Sequence, residues 1–149
     1  TTGTSPVTFS PDDPCTRAQV VTFIWRAINR PEASSKSTFV DLREGAYYLD
    51  AVDWAVANGI TTGTSPNTFS PDEVCTRAQI VTFLWRVAGC PKPSVESAFE
   101  DLREGAYYLD AVSWAVEEGI TIGTSPTKFS PDEKCTRAQV VTFLYRYIY

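Results

Sequence analysis

Sliding the 149-residue chain by 60 positions lays residues 1–60 on 61–120 with 42 identities in 60 pairs, and residues 121–149 continue a third copy. A fixed period of this length restricts the architecture to repeated units. Each unit is too small to bury its apolar surface alone, so neighbouring units must share one core. In frame, the chain reads as one array over 1–149: a half unit (1–30), a full unit (39–90) and a second full unit (99–149). The joints PEASSKST (31–38) and PKPSVESA (91–98), rich in Pro, Ser and small residues, read as linkers. The chain thus begins inside a repeat.

Each full unit carries two helix signals and no strand signal, which predicts an all-α fold. In YYLDAVDWAVANGI the apolar residues Leu49, Val52, Ala55 and Val56 recur at helical spacing, and Asn58-Gly59 suits a left-handed stop. The second helix is announced by CTRAQ, which recurs at 15–19, 75–79 and 135–139. There Thr16 caps the free amides and Gln19, three residues on, reaches back to the amide of the cap. Beyond it Val20, Phe23, Ile24 and Ala27 form one stripe, with Val21, Trp25 and Ile28 beside it. Between the helices, GTSPVTFSPDDP is dense in turn-forming residues and predicts an ordered loop pegged by Phe9, Phe69 and Phe129.

Composition removes several function classes. The apolar content of 43% supports a folded core, and the formal charge of −5 without a basic run argues against nucleic-acid binding through an overall field. No stretch approaches the ~18 apolar residues of a membrane span. There is no histidine, hence neither the commonest general base nor the commonest metal ligand. No nucleophile stands with a base, and the loop acids lack calcium-hand spacing, so a non-catalytic module without cofactor or metal is expected.

The four cysteines, at 15, 75, 90 and 135, show no metal or redox spacing. Cys75 and Cys90 at opposite ends of one helix would lie ~22 Å apart, beyond disulfide reach. Cys15, Cys75 and Cys135 read as small buried plugs, with three thiols meeting on a pseudo-threefold axis as the alternative.

Arg17, Arg77 and Arg137 pose the functional question. Each stands in the first turn of its helix, where the dipole and free amides favour an anion, so a cation there should cost up to ~1 kcal/mol. A carboxylate would suit both the guanidinium and the helix end. It would come from the protein (Asp12, Asp72 and Asp132, or Asp41 and Asp101) or from an anionic ligand lodged between units. Under the ligand reading, Arg77→Ala weakens binding and leaves the melting temperature nearly unchanged. Between the copies, residues 13–14, 73–74 and 133–134 have drifted while the adjoining motif has not.

Phe39-x-Asp41, an aromatic-led helix ending Gly59-Ile60, Gly63, Phe69-Ser70-Pro71-Asp72 and Thr76-Arg77-Ala78-Gln79, in that order and repeated, resemble the S-layer homology module over nearly the whole chain. The resemblance implies helix–loop–helix units in a pseudo-threefold, three-pronged bundle. It also implies noncovalent attachment of bacterial surface proteins to secondary cell-wall polysaccharides, often through a pyruvylated sugar, and hence an extracellular place at the cell wall or S-layer. By the same resemblance Arg17, Arg77 and Arg137 contribute to acidic-sugar recognition in grooves between units. Gly63 and Thr64, with Gly123 and Thr124, offer close backbone approach and donors there. Asp41 and Asp101 match an acidic position that either orients an arginine or bonds a sugar hydroxyl; orientation is favoured. Three departures stand out: Gln19, Gln79 and Gln139 replace a glutamate, Cys precedes the threonine, and the first unit lacks its leading helix and Phe-x-Asp segment, so that groove is either missing or filled by another chain. The rival reading on the same fold is a module that binds another surface protein or a second copy of itself.

Other aromatics are secondary candidates. Trp25, Trp54, Trp85 and Trp114 fit core packing better than sugar stacking, and Tyr47, Tyr48, Tyr107 and Tyr108 lie near a helix start where a hydroxyl can reach solvent.

Overall fold

The computed structural model describes residues 3–149. Five helices carry the chain: α1 (Arg17–Ala27), α2 (Leu49–Ala57), α3 (Arg77–Val87), α4 (Leu109–Glu117) and α5 (Arg137–Ile148). No β-strand occurs among the described residues, where only isolated two-residue bridges form. α1, α3 and α5 are the trailing helices of successive units; α2 and α4 are leading helices.

The capping box forms at every trailing helix. Thr16 Oγ1 accepts from the Gln19 amide at 3.3 Å and Gln19 Oε1 accepts from the Thr16 amide at 3.1 Å; Thr76/Gln79 and Thr136/Gln139 repeat the pair. Leading helices stop at Gly59 and Gly119, which adopt φ of 68° and 69°. The Ile60 amide donates to Ala55 O and the Gly59 amide to Val56 O, the paired bonds of a left-handed terminator.

The units close around a ring of backbone hydrogen bonds. The Cys15 amide donates to Cys135 O, Cys75 to Cys15 O and Cys135 to Cys75 O, at 2.9–3.0 Å. Around this ring the first amides of each trailing helix find acceptors in the next loop. Arg17 and Ala18 donate to Glu73 O and Pro71 O, Arg77 and Ala78 to Glu133 O and Pro131 O, and Arg137 and Ala138 to Asp13 O and Pro11 O. The helix ends are therefore satisfied between units, which gives the pseudo-threefold arrangement its cyclic order. α2 packs on α1 and α4 on α3, forming two prongs, while α1, α3 and α5 gather at the centre.

Burial follows from this layout. Val20, Val21, Ile24, Val52, Ile80, Val81, Leu84 and Val112 fill the interior with Phe69 and Phe129. Phe69 is pegged under Phe39, and Phe129 under Phe99, with ring centroids 5.9 Å apart. Phe9 has no such lid among the described residues and is only half-buried. Trp54 and Trp114 are core residues, while Trp25 and Trp85 donate to Pro31 O and Pro91 O at 2.9 and 2.8 Å. These bonds fasten both linker segments. The first is held further by Asp53, which accepts from Ser37 N and Oγ.

Cys15, Cys75 and Cys135 lie at the centre of the ring and are fully buried; no disulfide forms. Burial pushes the Cys15 and Cys135 thiols up to about 12, and it raises Cys75 as well. Cys90 is exposed. An aromatic disulfide reagent should therefore titrate one thiol per native chain and all four only after unfolding, read by absorbance in buffer and in guanidinium chloride.

Candidate functional site

The three first-turn arginines do not face solvent at the helix ends: Arg17, Arg77 and Arg137 retain only 3–4% of their exposure. Each guanidinium crosses to the next loop. Nε of Arg17 donates to Phe69 O at 2.8 Å, Arg77 to Phe129 O at 2.8 Å and Arg137 to Phe9 O at 2.9 Å. Each also lies against two rings: Arg17 on Phe69 and Phe83, Arg77 on Phe129 and Phe143, and Arg137 on Phe9 and Phe23, with centroid distances of 4.9–5.6 Å. Burial lowers the pKa of Arg17 and Arg77.

The intramolecular ion pair that sequence suggested for Arg17 and Arg77 is absent among the described residues. Asp72 pairs instead with Arg43, and Asp132 with Arg103 at 2.7 Å, both well exposed and of little energetic weight. A second expectation also fails. The first-turn amides of the trailing helices are occupied by carbonyls and by the capping threonine, so they offer nothing to an anion. The charge misfit at these helix starts is offset by a backbone carbonyl and aromatic faces.

Asp41 and Asp101 act one step away from the arginines. The Asp41 carboxylate accepts from the Phe69 amide at 2.9 Å and the Ser70 amide at 2.7 Å, and Asp101 binds Phe129 and Ser130 identically. Ser70 and Ser130 have positive φ, 57° and 58°, and the carboxylate secures that turn. Asp41 thus places the carbonyl that Arg17 binds; it touches no guanidinium directly.

Above Arg17 a groove of about 410 Å³ opens between units. Its walls are the 61–64 loop, then Gln79, Thr82, Phe83 and Arg86 of α3, and Tyr107 from the approach to α4. Gly63 belongs here because its φ of +85° and its crowding admit no side chain: a Cβ would stand 2.4 Å from Thr68 O and 2.6 Å from Phe39. Thr64 Oγ1 bonds Ser70 Oγ at 2.6 Å, and Thr124 bonds Ser130 likewise. A second groove of about 280 Å³ repeats the pattern with Arg137, Gly3, Thr4, Gln19, Thr22, Phe23, Arg26 and Tyr47.

Arg17 is one of the residues that line the larger groove. Arg17 Nη2 is buried and has no hydrogen-bond partner among the described residues, a state that costs free energy until an acceptor arrives. In the copy at Arg77, Thr121 Oγ1 accepts from Nη2 at 3.4 Å.

Sequence reasoning missed Arg86, which brings a second guanidinium to the groove and donates to Ile60 O at 3.0 Å. The signal was available, since Arg26, Arg86 and Arg146 recur in all three copies. Tyr47 and Tyr107 remain 58% and 59% exposed at the rims, whereas Tyr48 and Tyr108 turn into the core. Tyr47 and Tyr107 are therefore the tyrosines that line the two grooves, beside Phe23 and Phe83, and none of the tryptophans lines either groove.

Comparison with known proteins agrees with this architecture. The family model for the S-layer homology domain matches residues 38–81 and 98–141, more than half of the chain. A cell surface protein of Thermoanaerobacter kivui is 30% identical over 118 residues, covering 76% of this chain and 16% of that protein. An endoglucanase of Bacillus sp. (strain KSM-635) is 31% identical over 119 residues, 79% of this chain and 12% of the enzyme. An S-layer protein of Bacillus thuringiensis subsp. finitimus is 26% identical over 151 residues, 96% of this chain and 18% of its own length. The chain thus spans less than a fifth of these relatives. No helix among the described residues is long and apolar enough to cross a membrane, and the surface proteins among the relatives point to the cell surface. With its paired helices, its recurrent Thr-Arg-Ala-Gln helix starts and two matched repeats, the chain belongs to the S-layer homology domain family.

Proposed function

We propose that this module anchors its parent protein at the bacterial cell surface by binding an acidic secondary cell-wall polysaccharide in the grooves between units. The observation that carries the reading is the unpaired Arg17 Nη2 beneath a groove that also holds Arg86 and an exposed tyrosine. A sugar carboxylate, such as that of a pyruvyl ketal, supplies the missing acceptor. The 61–64 loop contributes hydroxyls and close backbone approach for sugar hydroxyls, and Tyr107 presents a ring face to a pyranose. Gly123 and Thr124 stand in the corresponding loop around Arg77, while Asp41 and Asp101 hold the loops from behind. Attachment of this kind needs no catalysis, cofactor or metal, and it fits the occurrence of similar regions within both surface proteins and an endoglucanase.

Cosedimentation with cell-wall sacculi, before and after chemical removal of the secondary polymer, tests the proposal. Binding should vanish with the polymer; retention on stripped peptidoglycan overturns the reading. Within the groove, Tyr107→Ala should weaken polymer binding about tenfold, roughly 1.4 kcal/mol. Its ring is exposed, so calorimetry should show almost the same melting temperature as the parent chain.

A further inference from the structure

The two full units share a backbone plan but not an outer surface. On the second, Ser97, Ala98, Phe99, Val116, Ile122 and Pro126 line an open hollow of about 300 Å³. Ile122 is 77% exposed, and Val95 beside the hollow is 75% exposed. The linker is fastened there at two points: the Ser94 amide donates to the Glu117 carboxylate at 3.0 Å and the Ser97 amide to Ser113 Oγ at 2.9 Å. The first full unit carries Ser35, Thr38 and Thr62 where the second has Val95, Ala98 and Ile122. All three positions are exposed in both units, and the first has the following unit in place, so the exposure belongs to the position itself. Three polar-to-apolar changes thus converge on one exposed patch, a change that contact with water alone does not favour. The rim has turned acidic as well. Glu96 lies between the two linker bonds, the Glu100 amide donates to Thr127 O next to Pro126, and Glu117 follows Val116. Their counterparts in the first unit are Lys36, Val40 and Ala57.

We propose that this acid-rimmed apolar patch docks segment 36–40 of a second copy of the chain. Val40 is 80% exposed, and Lys36 is exposed and joins no ion pair among the described residues. The segment therefore offers an aliphatic side chain and a cation, four residues apart, to a hollow bordered by carboxylates. Within one chain the two surfaces lie on separate prongs, and α2 makes no contact with α4 among the described residues. The second unit has Glu96 and Glu100 where the segment would be, and the first has hydroxyls where the patch would be. The joint is consequently head to tail rather than a symmetric pair, and each molecule added leaves a further patch and segment open. One hollow and one short segment make a contact at the small end of interface sizes, so it is weak and acts between copies held side by side at a surface. This docking does not rest on the polysaccharide reading.

Sedimentation equilibrium of the parent chain from about 10 μM to about 1 mM should give a weight-average mass that rises steadily above that of one chain, and about 0.5 M sodium chloride should reverse the rise. Two variants divide the joint. Lys36→Glu with Val40→Glu removes the segment, and Val95→Ser with Ile122→Thr removes the patch. Each substitution installs the residue that the sister unit carries at the same exposed position, so both variants should melt like the parent. Alone, each should remain monomeric at about 1 mM. Mixed, they should form a one-to-one dimer that grows no further, because the pair retains one patch and one segment. A parent chain that stays monomeric throughout overturns the proposal, as does association that either variant retains or that mixing fails to restore. No readout here involves the polymer, so failure leaves the anchoring reading to its own experiment.

Discussion

Replacing Arg77 with alanine should lower the melting temperature by roughly 6–12 °C, the consequence of about 3 kcal/mol lost from a domain of this length. Three losses combine in that figure. The Phe129 carbonyl forfeits its donor, the Phe129 and Phe143 rings lose the cation between them, and the side chain leaves a void among buried residues. Sequence left two partners open for this arginine, a protein carboxylate or an anionic ligand, and only under the ligand reading would its removal leave the melting temperature nearly unchanged; the buried guanidinium predicts a drop. Differential scanning calorimetry of Arg77→Ala decides the point: a shift below about 2 °C would mean that the guanidinium contributes little to the fold. For the same reason, alanine at Arg17 is a poor probe of binding, because loss of the fold would mimic loss of the ligand.

Alkaline pH should unfold the protein far more steeply than its surface charges suggest. The Cys15 and Cys135 thiols are pushed up to about 12, and Cys75 moves the same way, all chiefly through burial. In the unfolded chain these thiols ionise near their ordinary value, about 8.5. Above that pH the native state holds protons the unfolded state has released, so stability falls as pH rises through the interval from about 9 to 12. Each thiol contributes about 1.4 kcal/mol per pH unit, and three together about 4. Burial raises Tyr47, Tyr107 and Tyr147 also, with the same sign. Denaturant midpoints between pH 8 and 11 should show the decline, and each single Cys→Ala substitution at 15, 75 or 135 should remove about a third of the thiol contribution. A flat profile in the parent chain would contradict the buried ring.

What could be read from sequence was whatever depends on near neighbours. The capping boxes, the Asn58-Gly59 stop and the helical stripes all involve residues within a few positions of one another, and all appear where expected. The environment of the arginines does not. Arg17 binds a carbonyl 52 residues away, on a loop brought to it by the ring of cysteine amides. Helix-end electrostatics alone saw a misplaced cation and called for a carboxylate. The role of Asp41 was obscured likewise, since its two acceptors face amides 28 and 29 residues downstream. Tyr47 and Tyr48 were indistinguishable in composition; only the packing at the helix start separates a groove residue from a core one. Arg86 escaped notice because a basic residue in the last turn of a helix is already explained by the dipole.

The account depends on an arginine held beneath a groove with one donor left for an acidic sugar. Nitrogen-15 NMR of the arginine side chains, titrated with polysaccharide released from the cell wall, tests this most directly. The Arg17 guanidinium resonance and the amides of Thr62, Gly63 and Thr64 should shift together and saturate, and the same polymer with its carboxyl groups reduced should leave them unmoved. Saturable binding that leaves Arg17 and this loop unperturbed, or that persists undiminished with the reduced polymer, would contradict it.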